Sequence, residues 1–92
     1  MEDQRRKIEL VRDWIVSTIK PLLDEPEKLS VRPSIDARGV LFTVKPSDID
    51  AGSLIGKGGT TIKSLRALLA GVGKRNDMRA SLVLDVPEYK TK

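Results

Sequence analysis

The chain has 92 residues, 39% of them hydrophobic, with 17 Lys/Arg, 13 Asp/Glu, no cysteine and no histidine. That length suits one small domain with a single core, and the missing Cys and His exclude disulfides, thiolate chemistry and the usual zinc sites. The apolar runs are too short to span a membrane, and Met1-Glu2-Asp3-Gln4-Arg5-Arg6-Lys7 does not read as a signal peptide, so a cytoplasmic protein is expected.

Ile8, Val11, Ile15, Ile19 and Leu22 recur at helical spacing, with Leu10 and Trp14 widening the stripe. They predict an amphipathic helix from about Arg5 to about Leu23, which Pro21 either kinks or closes. Asp24-Glu25-Pro26-Glu27 is a turn. Leu29, Val31, Pro33 and Ile35 then alternate with polar residues, which predicts a strand. Pro33 lacks an N–H, so that strand is expected to be an edge strand or a poorly paired one. Asp36-Ala37-Arg38-Gly39 is a hairpin turn, and Val40-Leu41-Phe42-Thr43-Val44 is a second, antiparallel strand.

Pro46-Ser47-Asp48-Ile49-Asp50 has the form of a helix start, with Ser47 as N-cap and Asp48 and Asp50 in the first turn. A short helix is expected from there to Leu54 or Ile55. The glycine loop Gly56-Lys57-Gly58-Gly59 follows. Ile62, Leu65, Leu68, Leu69 and Val72 mark another helix from Thr60, stopping at Gly71 or Gly73. Residues 80–86 predict a third strand closed by Pro87, and 88–92 a loose tail. The order is α-β-β-α-α-β, within a single domain over 1–92 whose core spans about residues 5–87. A strand, two crossover helices and a strand place the two strands parallel. The expected fold is α+β, a three-stranded mixed sheet with helices packed on one face.

Charge divides unevenly along the chain. Residues 1–50 carry nine Lys/Arg and ten Asp/Glu, a net −1; residues 51–92 carry eight and three, a net +5. Between Ala51 and Asn76 stand Lys57, Lys63, Arg66, Lys74 and Arg75 with no acid. A one-signed stretch around a glycine loop fits a polyanion, although a solvated basic helix face has the same composition. Glycines permit unusual backbone angles and close approach. A helix starting at Thr60 points unpaired N–H groups and its positive dipole end into the loop. With Lys57, that combination suits phosphate.

Leu54-Ile55-Gly56-Lys57-Gly58-Gly59-Thr60-Thr61-Ile62 resembles the KH signature: an apolar pair, a GxxG loop and an isoleucine three residues on. The element order is similar to the type II KH fold, and residues 8–86 resemble the small bacterial single-KH proteins of the KhpA family. The resemblance implies a non-catalytic, single-stranded RNA-binding protein whose GxxG loop clamps the backbone of about four nucleotides. The RNA-binding residues it implies are Ile55, Gly56, Lys57, Gly58, Gly59, Thr60, Ile62, Lys63 and Arg66. Gly56 and Gly59 allow the turn, Lys57 and Gly58 face phosphates, and Ile55 and Ile62 are groove floor or the core beneath it. Lys63 and Arg66, opposite Leu65 and Leu69, reach further phosphates. Residues near 40–44 are the expected far wall, with the face they present left open by the sequence. The family implies an RNA chaperone or post-transcriptional regulator, tied to cell growth and shape, that pairs with itself or another KH protein. It implies no cofactor. The chain departs from the family at Thr60 and Ser53, where basic residues are usual, and residues 48–53 run about two residues long. Fewer charges mean weaker, less salt-dependent binding.

Rival readings fit less well. A P-loop needs GxxxxGK followed by Ser or Thr; here Ala51 holds the first glycine position and Gly58 follows the lysine. No histidine serves as a base. Asp48 and Asp50 read as a charged helix start rather than a metal pair. Trp14 lies on the apolar side of the first helix, so it reads as core rather than a stacking platform. A protein-interaction module with weak or no RNA binding is the alternative that stays open.

Overall fold

A computed structural model describes residues 2–86. The expected closing role of Pro87 and the tail at 88–92 lie outside the described residues. Helix α1 runs Glu2–Ile19, three residues earlier than expected, with Glu2 and Asp3 in a first turn where the dipole favours acids. Ile8, Val11, Ile15 and Ile19 are its buried stripe. Pro21 closes the helix rather than kinking it: without an N–H it cannot continue the i→i−4 ladder, and Lys20–Leu22 tightens into a 3-10 turn.

Strands β1 (Ser30–Asp36) and β2 (Gly39–Lys45) pair antiparallel, and β2 pairs parallel with β3 (Ala80–Leu84), in the order β1-β2-β3. β1 is an edge strand, as Pro33 requires. On β2, Val40, Phe42 and Val44 are buried while Leu41 and Lys45 are exposed, so one face holds the core and the other meets solvent. Leu82, Leu84 and Val86 extend the buried face, and Trp14 packs partly buried against the same cluster. At each edge an arginine from a helix donates to a strand carbonyl. Arg12 Nε reaches Val31 O at 2.8 Å, and Arg66 Nε reaches Leu82 O at 3.1 Å. Edge carbonyls otherwise invite further strand pairing.

The crossover comprises α2 (Ala51–Ile55) and α3 (Thr60–Arg75). Both helices have boundaries that differ from expectation. α2 begins at Ala51, because residues 48–50 form a turn and Ser47 caps no backbone N–H. Ser47 Oγ instead donates to Asp50 Oδ2 at 3.2 Å. α3 stops at neither Gly71 nor Gly73 but runs to Arg75, where Asn76 Nδ2 bonds Val72 O at 2.9 Å. Gly73 is a packing position: a Cβ there would lie 2.8 Å from Ala80 Cβ.

Five residues are too few for a self-supporting helix, and Gly52 weakens α2 by about 1 kcal/mol relative to Ala. Burial of Leu54, worth about 1.5–3 kcal/mol, outweighs that cost. Asp50 anchors the entry. Its side chain is fully buried and accepts the N–H groups of Asp24 at 2.7 Å and Glu25 at 2.8 Å. Desolvation pushes its pKa up, but these two N–H groups and Ser47 together outweigh it and hold the carboxyl below its ordinary value.

A depressed folded pKa gives stability that is fully present above the unfolded value and lost as pH falls through the folded one. The thermal midpoint is therefore expected to hold steady above about pH 4 and to fall below it. Asp36, lowered chiefly by the Arg38 N–H, adds a loss of the same sign. Asp50→Asn is expected to lower the midpoint at neutral pH and to flatten the acid loss, leaving the Asp36 part. A neutral-pH midpoint equal to wild type, followed by circular dichroism, contradicts the clamp.

Candidate nucleic-acid interface

α2 ends at Gly56, which adopts φ 77° and ψ 170° and swings the chain out of the helix. A Cβ at that position would collide with Thr61, whose backbone N would lie only 2.8 Å away. Gly56 is therefore required twice, by its torsion and by its neighbour. Lys57–Gly59 forms a tight 3-10 turn, in which Gly58 and Gly59 also have positive φ, 65° and 78°. The turn closes through Gly59 N–H on Gly56 O at 3.1 Å and Thr60 Oγ1 on Lys57 O at 3.0 Å. α3 starts at Thr60, as expected, and no side chain caps its first turn. That turn's positive dipole end opens toward the loop.

Lys57, Gly58, Thr60 and Lys63 are exposed, and Ile55, Gly56, Gly59 and Arg66 are half-buried. Ile62 is buried, so it belongs to the core beneath the loop and not to a groove floor. Lys63 folds back toward the loop: its Cε lies 3.8 Å from where a Gly59 Cβ would stand. Arg66 is not opposite Leu65 and Leu69 but beside β3, with Nε on Leu82 O. It braces the helix on the edge strand.

The far wall also differs from expectation. β2 is the central strand, and Val40, Phe42 and Val44 face the core. α3 packs chiefly on β3, so the strand beside the loop-bearing helix is the β3 edge. The order 1-2-3, with α3 leading directly into the parallel edge strand, is the signal that distinguishes them. Asp50 spends both carboxylate oxygens on its clamp. Among the described residues, no group of three or more Asp, Glu, His or Cys comes together to hold a metal, and no helix is long and apolar enough to cross a membrane.

The family model described as KhpA/KhpB, KH domain matches residues 12–84. A protein of Chlamydia caviae named RNA-binding protein KhpA is 33% identical over 72 residues, covering 78% of this chain and 92% of the relative. One of the same name from Listeria monocytogenes is 33% identical over 72 residues, with coverages of 78% and 95%. Another, from Mycobacterium leprae, is 35% identical over 66 residues, covering 72% and 82%. No solved structure matches the chain.

The loop geometry generates its own test. Gly56→Ala forces a side chain into positive φ against Thr61 and is expected to cost about 1–3 kcal/mol in urea unfolding. Gly58→Asp meets open space, and Asp tolerates the left-handed region comparatively well, so its cost should be distinctly smaller. Equal costs contradict the steric assignment of Gly56.

Proposed function

The chain belongs to the KhpA/KhpB KH-domain family, and from that premise we propose that it binds single-stranded RNA without catalysing a reaction. The observation that carries this reading is the exposed Gly56–Gly59 turn at the uncapped start of α3, with Lys57 and Lys63 beside it. Backbone N–H groups and the dipole receive the phosphates, and the two lysines neutralise them. Ile55, half-buried at the rim, offers apolar surface to a base. Gly56 and Gly59 set the turn, Gly58 lets the strand approach, Thr60 secures the Lys57 carbonyl, and Ile62 supports the loop from the core. Arg66 holds α3 against β3 through Leu82 O. Relatives named RNA-binding protein KhpA support RNA as the polyanion.

An RNA chaperone or post-transcriptional regulator acting in the cytoplasm is the role we infer, and its link to cell growth and shape rests on family analogy. One observation favours a second reading, pairing with a second copy or another KH protein: Leu10 on α1 and Leu68 on α3 are each 56% exposed. Mutation separates the two, because pairing does not need Lys57 or Gly58.

With Lys57 and Lys63 as the phosphate contacts, the log–log salt slope for a short single-stranded RNA should be about −1.4, at about 0.7 per contact. Lys57→Asp/Gly58→Asp should abolish most of that binding while leaving the circular dichroism spectrum intact. Equal binding by a folded double variant, measured by fluorescence anisotropy, removes the loop from the interface. No binding by wild type leaves the pairing reading.

A further inference from the structure

Beyond the loop, α3 carries a row of residues that its packing does not use. Lys63, Ala67, Ala70 and Lys74 are spaced by four, three and four residues, so they share one face. All four are exposed. From Lys63 to Lys74 the row spans about 16 Å, at 1.5 Å per residue. It leads from the glycine loop to a shallow hollow of about 400 Å³ where α3 gives way to β3. The hollow is lined by Ala70, Gly71, Lys74, Met78, Arg79 and Ala80. Its floor is apolar, and its two charged members are both cations.

Three observations point to a ligand of the same kind as the loop's. The first is charge: no acid stands between Ala51 and Asn76. The nearest one after it, Asp77, is paired with Lys7 at 3.0 Å, a contact that also raises the Lys7 pKa. The second is Gly71. Nothing lies within 4 Å of where its Cβ would stand, as at Gly52, so the missing side chain serves no packing and leaves the floor of the hollow open. Gly73, pressed on Ala80, makes the contrast. The third is continuity, because Lys63 leans toward Gly59 at one end of the row and Lys74 borders the hollow at the other.

We propose that the hollow is a second subsite for the same RNA strand, continuing past the nucleotides held at the loop. Lys74 and Arg79 take phosphates, and the Ala70–Gly71–Met78–Ala80 floor takes the face of a base. The short side chains of Ala67 and Ala70 let the strand lie close along α3 between the two ends. The proposal rests on the RNA-binding reading above.

The test uses unstructured single-stranded RNAs of about five and about twelve nucleotides, the shorter one just covering the four or so that a KH loop clamps. Wild type should bind the longer RNA more tightly, and with a salt slope steeper by about 1.4, for two further phosphates at about 0.7 each. Lys74→Gln/Arg79→Gln should lose that gain and keep wild-type binding of the shorter RNA. Ala70→Glu, which puts an acid in the middle of the row, should do the same. If both variants match wild type on both lengths while Lys57→Asp/Gly58→Asp loses both, the second subsite is overturned and the loop reading stands. If wild type binds neither length, the RNA reading falls and the subsite with it. If the variants change only the mass in sedimentation, the row is a surface for a second copy and the subsite is overturned.

Discussion

The Asp50 carboxylate gathers the N–H groups of Asp24 and Glu25 and the hydroxyl of Ser47 in a fully buried position. It ties the turn after α1 to the residue that opens α2. A five-residue helix has almost no stability of its own, so its direction is borrowed from this clamp and from buried Ala51 and Leu54. That direction fixes where Gly56 leaves the helix and therefore where the glycine turn sits. A buried charge without partners would be strongly unfavourable. With three donors it stays ionised, which is why its pKa lies low despite desolvation.

The other side of the loop is held by α3. Its buried residues Ile62, Leu65, Leu69 and Gly73 lock it onto the sheet, and Arg66 links it to the β3 edge. Gly73 sets the closeness of that packing, since a side chain there would meet Ala80. The glycine turn thus joins two helices that are both anchored elsewhere. Its Lys57, Gly58 and Thr60 face solvent while Leu54 and Ile62 on either side of them pack in the core. Such a turn is arranged before any partner arrives, and preorganisation lowers the ordering cost of binding.

Much of this was legible in the residues. Apolar spacing gave α1 and the core of α3, alternation gave β1 and β2, and Pro33 marked an edge. What the sequence could not supply was tertiary. Ser47 has the chemistry of a cap, and only the fold shows it spent on Asp50. Gly71 and Gly73 both look like helix stops. Inside the fold one is a contact and the other faces open space, so neither ends the helix. Arg66 reads as an open cation on a helical wheel, but its proximity to Leu82 depends on which strand lies under α3. The same dependence misdirected the far wall toward residues 40–44, where Val40, Phe42 and Val44 face the core and Leu41 and Thr43 the outer sheet face. The loop itself was the most legible part, because positive φ at three positions leaves little choice but glycine.

The central claim is that the Gly56–Gly59 turn at the start of α3 receives a single strand of RNA. Backbone amide chemical shifts of the isotope-labelled chain, followed as unstructured RNA is added, test it most directly. The account predicts the largest changes at Lys57–Ile62 and Lys63, with the outer sheet face at Leu41, Thr43 and Val83 undisturbed. Changes concentrated on that outer face, with the amides of the glycine turn unmoved at saturation, would contradict it.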